Sequence, residues 1–361
     1  MPWQTEIPWT LIRRPAKPWS SALRQKTTHY PSHWLSIFST CPLYFMPFKV
    51  LVQKRVFNSE ASRSSLYEKN SRTLIKIKPA TVLSVFLLGV SACWTEDKPL
   101  CYGKEHMSGA RTLLERLLWF STYLGGTSTG IWTCAFVADP GDYKFSAQAE
   151  GSILQAVESG HDFHSMTGVS SVLFYHLASV GRHCRRLVQT GAADPDLEAS
   201  FERTLLDWKP RHSDKTLVEM SLAYRNHGLI MLYEICGRRD QPQTNGVYRG
   251  PAIWNNTRTR HAIRSLAFDS LERLLGTPID AACMNFHSMT LLTAGAQLQH
   301  NDTIVRVQVV ERFKALYSIN QIAVNLWAIE LLEELWGLRD NGNPVSWPEL
   351  LLSKDWTLNF A

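Results

Sequence analysis

The chain has 361 residues, of which 45% are hydrophobic, so it has enough apolar material for a sizeable core in one large domain or two ordinary ones. Its formal net charge is +6, but residues 1–80 hold 13 Lys and Arg against 3 Asp and Glu, whereas the remaining 281 residues hold 25 against 29. The main body is therefore mildly acidic, which argues against a broad nucleic-acid-binding surface on it.

Residues 1–78 form a predicted non-globular, basic segment. Seven of the 17 prolines fall in the first 50 positions, among four tryptophans, and no helical or alternating period persists there. Proline at this density interrupts helices and strand ladders, so we expect an extended or disordered segment. A basic tail with tryptophans suits binding to nucleic acid or, less well, to a membrane surface. A non-globular tail, or sequence added by an incorrect gene model, is the better explanation.

From residue 79 to the end, apolar residues recur at helical spacing, without strand alternation and without a repeat of fixed period. This pattern predicts an all-α, irregular multi-helix domain over residues 79–361. The predicted helices cover about 80–93, 103–124, 168–188, 197–208, 217–236, 257–275, 304–316 and 319–336.

The composition of the helices predicts their ends and their buried faces. Asp194-Pro195 marks a helix start and Pro210 a helix end. Residues 217–236 are apolar on most sides, which predicts a central helix, and Gly237 is its expected C-cap. The predicted apolar stripes are Val172, Leu173, His176, Leu177 and Val180 in one helix and Ile319, Ile322, Leu326, Ile329, Leu332 and Trp336 in the last.

The cysteines and the apolar runs argue against further classes of protein. Seven cysteines are scattered without any Cys-x-x-Cys pair, which argues against a zinc module of sequential pairs and against a thioredoxin-type site. We expect reduced, buried thiols in an intracellular protein. No apolar secretory signal opens the chain. The most hydrophobic run, residues 80–93, is too short for a bilayer span of about 20 residues, so no membrane partner is expected.

The motif most typical of an enzyme is Gly126-Thr127-Ser128-Thr129-Gly130, a literal G-x-S-x-G. In a serine hydrolase this spacing forms a sharp strand-to-helix turn that exposes the serine. Here the preceding residues are helical in pattern and no glycine-rich oxyanion segment lies upstream. An interhelical turn is therefore the favoured interpretation, and a hydrolase using Ser128 is kept as the alternative.

The other polar clusters predict no site. His161 and His164 have a spacing that suits a shared metal, but they lie in a predicted loop without a third ligand. His183-Cys184-Arg185-Arg186 is interpreted as the polar end of a helix. Glu115 and the pair Glu333-Glu334 lie on solvated faces, and nothing pairs them as general acid and base. We therefore predict no catalytic residue, no cofactor, no metal ligand and no enzyme activity.

A series of short landmarks follows in order along the predicted helices. The landmarks are His106-Met107-Ser108-Gly109-Ala110, Trp119-Phe120-Ser121-Thr122-Tyr123, Gly168-Val169-Ser170, Leu205-Leu206-Asp207-Trp208-Lys209-Pro210, Ala223-Tyr224-Arg225, Ala294-Gly295-Ala296, Trp336, Trp347-Pro348 and Trp356-Thr357-Leu358-Asn359-Phe360. In this order the helices resemble the fungal-specific transcription factor domain, the C-terminal regulatory domain of fungal zinc-cluster transcription factors. The resemblance covers about residues 79–361, and no single landmark is specific. Each landmark also has a packing explanation, since tryptophans close helix pairs and Gly109 and Gly295 permit close approach.

One departure from the family bears on function. The family reads DNA through six N-terminal cysteines that hold two zinc ions, whereas only Cys41 precedes residue 93 here. Direct DNA binding is therefore doubtful in this form, and a truncated gene model or a diverged remnant would explain the difference.

The resemblance implies a nuclear transcription regulator that masks an attached DNA-binding module. Its control would come from a partner or from a small-molecule effector in a cavity between helices. The expected partners are proteins of the transcription machinery or a related zinc-cluster factor, with DNA bound only indirectly. A helical interaction domain without a remaining regulatory role is a second alternative.

Overall fold

The computed structural model describes residues 169–237, 257–281, 283–358 and 360, and six isolated residues upstream of them. Of the described residues 75% are helical and none forms a β-strand, which confirms the all-α fold class. The segment 1–78 lies outside the described residues, and the domain division at residues 78 and 79 stays a prediction. Within the predicted helices 80–93 and 103–124, the few described residues are helical: Val85, Gly89, Gly109 and Leu113.

The described part contains eight α-helices and one short 3-10 helix, Met284–Phe286, between the fourth and fifth of them. In chain order the α-helices are α1 Ser171–Thr190, α2 Pro195–Asp207, α3 Lys215–Ile235, α4 Thr257–Gly276, α5 Ser288–Gly295, α6 Thr303–Asn320, α7 Val324–Asp340 and α8 Trp347–Ser353.

Helix α3 is the centre of the described part. It packs against α1, α2, α4 and α5, and 13 of its 21 residues are buried. A helix that is surrounded by others must be apolar on most sides, which is the pattern that predicted its position. The remaining helices continue the core away from α3, since α6 packs on α4, α5 and α7, and α8 packs on α7.

Local chemistry determines where the helices start and stop. The Asp194 carboxylate accepts a hydrogen bond from the Leu197 amide at 3.1 Å, and Pro195 occupies the first turn of α2. Helix α2 ends three residues before Pro210, and both predicted ends are thus confirmed. Gly237 follows α3 with a φ of 84°, a left-handed conformation that suits glycine at a helix end.

Two glycines let helices approach one another closely. A Cβ at Gly295 would lie 3.0 Å from Val309 of α6, which confirms the packing explanation for that landmark. A Cβ at Gly228 would lie 2.5 Å from Leu177 of α1 and 2.9 Å from Leu205 of α2, so both leucine side chains would have to shift if α3 carried a larger residue there. The sequence pattern did not single out Gly228. At Gly109 a Cβ would meet Val85 at an ordinary 3.7 Å, so no close approach requires that glycine.

The predicted boundary between the last two long helices was wrong. Ile319 belongs to α6, and the chain turns at Gln321, whose φ is 55°, before α7 begins at Val324. Ile319 and Leu326 are each 40% exposed, so they do not belong to the buried stripe. Because apolar residues are frequent on both sides of this turn in the sequence, periodicity alone could not identify the buried face of α7. The buried face of α7 consists of Val324, Asn325, Ala328, Leu331, Leu332, Leu335 and Trp336.

Three further details differ from expectation. In α1, Val172 and His176 are only half-buried, and the buried face continues through Cys184 to Leu187. Helix α5 and the 3-10 helix were not predicted, because residues 284–295 are too few to show a helical period. Helix α8 was also missed, although Ser346 and Glu349 form a capping box that is visible in the sequence.

Candidate functional site

A polar cavity of about 390 Å³ opens between α3, α4, the turn after α5 and the end of α7. Charged groups dominate its wall, which is unusual in a domain whose helices otherwise meet through apolar side chains. The lining residues are Glu234, Arg260, Ile263, Arg264, Gln297, Leu298, Gln299, His300, Arg339 and Asp340.

The floor of the cavity is a buried ion pair. Arg339 of α7 donates to the Glu234 carboxylate of α3 at 2.8 Å, and the amide of Gln297 donates to the other carboxylate oxygen at 3.0 Å. Arg339 also donates to the backbone carbonyls of Ala296 and Val345. Burial raises the pKa of Glu234, and the neighbouring guanidinium of Arg339 opposes that rise. The pair joins α3, α7 and the turn after α5, which are far apart in sequence.

The rim of the cavity carries two more arginine–carboxylate pairs. Arg264 makes two hydrogen bonds of 2.7 Å to Asp302, and Arg306 makes hydrogen bonds of 2.7 and 2.9 Å to Asp340. Both pairs are bidentate, which fixes the orientation of the planar guanidinium groups. Three arginines line the cavity against two acidic residues, so it suits a small polar molecule that carries an anionic group.

A second polar cluster lies on the opposite side of α3, where α1 and α2 meet its C-terminal end. His183 of α1 and Glu198 of α2 are 3% and 4% exposed, and His183 Nε2 lies 3.0 Å from Glu198 Oε1. Cys236, which follows α3, places its sulfur within 4.8 Å of both side-chain ligand atoms. Cys184 lies beside them and donates to the carbonyl of Met231 across 3.7 Å.

This arrangement corrects the interpretation of residues 183–186 as the polar end of a helix. Helix α1 continues to Thr190, and both His183 and Cys184 face the core. Only Arg186 of this tetrapeptide is exposed, and its guanidinium donates to His183 Nδ1 at 3.1 Å.

Protonation in this cluster follows from its burial and its hydrogen bonds. Burial lowers the pKa of His183, but hydrogen bonds to Cys236 and Glu198 outweigh this effect and raise the value to about 9. The hydrogen bond that Arg186 donates to Nδ1 opposes this rise and keeps the imidazole neutral in this arrangement, because the second proton would enter at that nitrogen. A hydrogen bond with Cys184, together with burial, raises the pKa of Cys236, and its thiol is therefore protonated at neutral pH.

A second buried histidine lies beside a thiol instead of a carboxylate. His287, at the start of α5, is completely buried, and its Nε2 lies 3.5 Å from the sulfur of Cys283. Its Nδ1 finds no hydrogen-bond partner within the part of the chain that the structure describes. Burial lowers the pKa of His287 to about 4, and the charge of Arg312 acts in the same direction. This histidine is therefore neutral at physiological pH.

Among the residues that the sequence singled out and the structure describes, only those of the stretch 183–186 belong to either cluster. Ser128, His161, His164 and Glu115 lie outside the described residues, so the hydrolase hypothesis and the paired-histidine interpretation stay untested. Glu333 and Glu334 are exposed, and Glu334 accepts a hydrogen bond from Lys354 at 2.6 Å. The three described cysteines, Cys184, Cys236 and Cys283, are free thiols, two of them fully buried, as expected.

Sequence reasoning missed the residues that form the cavity floor. Glu234 offered a signal, since it is one carboxylate in the apolar run from Leu229 to Ile235, and such a group needs a buried cation. Its partner Arg339 is 105 residues away and has no local feature that identifies it. Glu198 gave no signal, because a carboxylate in the first turn of a helix is usually exposed.

Among the described residues, no helix combines the length and the hydrophobicity that a bilayer crossing requires. The family model of the fungal specific transcription factor domain matches residues 105–361. No curated protein and no solved structure matches the chain. Because the family match covers well over half of its length, the chain belongs to the fungal specific transcription factor domain family. Its role is accordingly in the regulation of transcription.

Proposed function

We propose that this chain is a nuclear regulatory domain that masks the activity of a DNA-binding module, and that the polar cavity between α3, α4 and α7 controls the masking. The observation that carries the proposal is the buried Glu234–Arg339 pair in the cavity floor. A ligand that competes for Arg339 changes how α7 is attached to α3. Occupancy of the cavity is thereby coupled to the packing of the C-terminal helices.

The chemistry of the cavity favours a small-molecule effector with a carboxylate or phosphate group. Arg260 and Arg264 line the entrance, and Gln297 supplies a polar group beside Glu234. Guanidinium groups bind planar anions through paired hydrogen bonds. A cavity of this volume lies in the usual range of about 300–1,000 Å³ for small-molecule sites.

A reporter assay tests the masking. The full chain is fused to a heterologous DNA-binding module that carries an activation segment, and reporter output is compared with that of the module alone. We expect the fused chain to lower the reporter output. We also expect this lowering to be relieved when the cells grow on different nutrients. Arg260→Ala is expected to change the nutrient response by about fivefold or more, which corresponds to a coupling free energy of about 1 kcal/mol.

Arg258→Ala is the matched control, because Arg258 is also an exposed arginine of α4 but does not line this cavity. Immunoblots of both variants keep differences in abundance apart from differences in masking. Equal responses of the two variants would refute the assignment of the cavity as the effector site. Unchanged reporter output on fusing the wild-type chain would refute the masking itself.

The proposed location and partners have a separate test. A fluorescent fusion of the full chain is expected to accumulate in the nucleus. Affinity purification of the same fusion is expected to recover proteins of the transcription machinery or a related zinc-cluster factor. Uniform cytoplasmic fluorescence would contradict the nuclear assignment.

A further inference from the structure

We propose that His183, Glu198, Cys236 and Cys184 form a structural Zn²⁺ site that joins α1, α2 and the C-terminal end of α3. This site is separate from the polar cavity and does not depend on the proposed masking function. It would be a metal site inside the helical domain itself.

Geometry is the first argument. The nitrogen of His183, a carboxylate oxygen of Glu198 and the sulfur of Cys236 all lie within 4.8 Å of one another. In a tetrahedral zinc site, bonds of about 2.0–2.3 Å place neighbouring ligand atoms roughly 3–4 Å apart. The 3.0 Å separation of His183 Nε2 and Glu198 Oε1 lies at the short end of this range, and the proton between the two atoms must leave before the ion can bind. Rotations of side chains then suffice, because the three residues already converge from separate elements.

Cys184 becomes the fourth ligand after its side chain rotates, since its sulfur is not among the ligand atoms that already lie within 4.8 Å of one another. It is buried and interacts with Cys236, so a rotation brings its sulfur to the ion. Its present hydrogen bond to the carbonyl of Met231 is long, at 3.7 Å, and is easily exchanged for a metal bond. Two cysteines, one histidine and one carboxylate are ligands that Zn²⁺ accepts.

The charges balance around the proposed site. Binding releases the two thiol protons to solvent and involves no change of oxidation state. Two thiolates and one carboxylate then leave the zinc complex with a charge of about −1. Arg185, which follows Cys184 directly, supplies positive charge near it. The complex is therefore not left as an isolated charge in the core.

Arg186 provides a signature that distinguishes metal binding from simple packing. Zinc on His183 Nε2 requires the proton on Nδ1, and a protonated Nδ1 cannot accept the hydrogen bond that Arg186 now donates. Arg186 must therefore swing away when the ion binds. Removing its side chain takes away that competing hydrogen bond, so we expect Arg186→Ala to bind zinc more tightly than the unsubstituted chain.

The test uses the full chain, purified under reducing conditions, stripped with a chelator and reloaded with Zn²⁺ or Co²⁺. Mass spectrometry of the elements measures zinc per chain, and Co²⁺ reports thiolate ligands through its charge-transfer and visible absorption bands. We expect one zinc equivalent that is weakened about 100-fold or more in Cys236→Ser and in Glu198→Gln, since even outer-shell changes cost about 10–100-fold. Cys283→Ser, a buried thiol outside the cluster, is the control and is expected to retain the zinc.

Three results would overturn the proposal. The first is a folded, reduced wild-type chain that binds neither ion. The second is full zinc binding and an unchanged cobalt spectrum in Cys236→Ser. The third is a Cys184–Cys236 disulfide in the peptide map of the freshly isolated chain. If Cys236→Ser fails to fold, the cobalt spectra of the wild-type and Cys283→Ser chains and the zinc affinity of Arg186→Ala decide the matter.

Discussion

The two sides of helix α3 bury their surface in different ways. Toward α1 and α2, contact is close at Gly228, and the buried polar cluster there consists of a histidine, a carboxylate and two thiols. Toward α4, α5 and α7, the helix carries larger polar groups, and two of them are matched by a charged partner on another helix. Asn226 donates to Asp269 at 2.7 Å, and Glu234 accepts from Arg339 at 2.8 Å.

The two sides also differ in their charges, since one side holds a group whose charge is permanent and the other holds groups whose charge can change. A guanidinium stays protonated at every physiological pH, so Arg339 keeps its charge, and a competing ligand can replace Glu234 as its partner. The cluster of His183, Glu198 and the two cysteines consists of groups that exchange protons and bind metals. The C-terminal end of α3 therefore meets two kinds of polar site within three residues. Glu234 belongs to the polar cavity, and Cys236, which follows the helix, belongs to the cluster with His183.

The largest effect is expected from breaking the buried ion pair. Arg339→Met leaves the Glu234 carboxylate buried without its cation and should lower the free energy of unfolding by about 3–5 kcal/mol in urea denaturation. The double variant Glu234→Leu/Arg339→Met should recover most of that loss, because both charges are then gone. A single variant as stable as the wild type would mean that the pair is not buried as described.

A smaller loss of the free energy of unfolding is expected when the pH falls, through the buried imidazole of His287. The folded-state pKa of His287 is about 4, below the usual 6.5, so the unfolded chain binds the proton more readily. The contribution of His287 to the free energy of unfolding is complete above pH 6.5. It is lost as the pH falls toward 4, at up to about 1.4 kcal/mol per pH unit.

Urea denaturation of His287→Gln between pH 7 and pH 4 checks this expectation. The variant should show a flatter dependence of stability on pH than the wild type. The matched control is His261→Gln, since His261 is exposed on α4. Parallel pH profiles for the wild type and His287→Gln would contradict the assignment.

Close packing on the α1–α2 side is tested by a single methyl group. Gly228→Ala forces its Cβ against Leu177 and Leu205, and the strain should exceed the gain in helix propensity, for a net loss of about 1–2 kcal/mol. Gly181→Ala, with nothing within 4 Å of the added Cβ, should instead stabilise the chain by about 0.5–1 kcal/mol. Thermal unfolding of the pair checks the signs, and stabilisation by both would show that the helices are further apart.

The smallest effect is expected at the surface. Lys354→Met breaks the partly exposed pair with Glu334 and a cation–π contact with Trp356, and it should cost no more than about 1 kcal/mol. The loss should shrink in high salt, because screening weakens exposed pairs. Urea denaturation at two salt concentrations measures both quantities. A loss as large as that of Arg339→Met would remove the contrast between buried and exposed pairs.

Much of the fold is readable in the sequence because its causes are local. The long apolar run of α3 predicts a central helix, and Asp194-Pro195 with Pro210 defines α2 to within two residues. These signals depend on neighbours along the chain, where capping and proline geometry act. Helix α5 is shorter than the period that would reveal it, and the start of α7 depends on a left-handed turn at Gln321 that no glycine marks.

The sequence by itself determined the all-α class, the family and the position of the central helix, since helical periodicity and landmark order are properties of the chain. Only the tertiary structure decided which polar residues meet. It brought Arg339 to Glu234 across 105 positions, and it placed His183 beside Glu198 and Cys236 in the core. The physical reason is that a buried charge is stabilised by whichever group lies within hydrogen-bond distance, and that distance is set by helix packing.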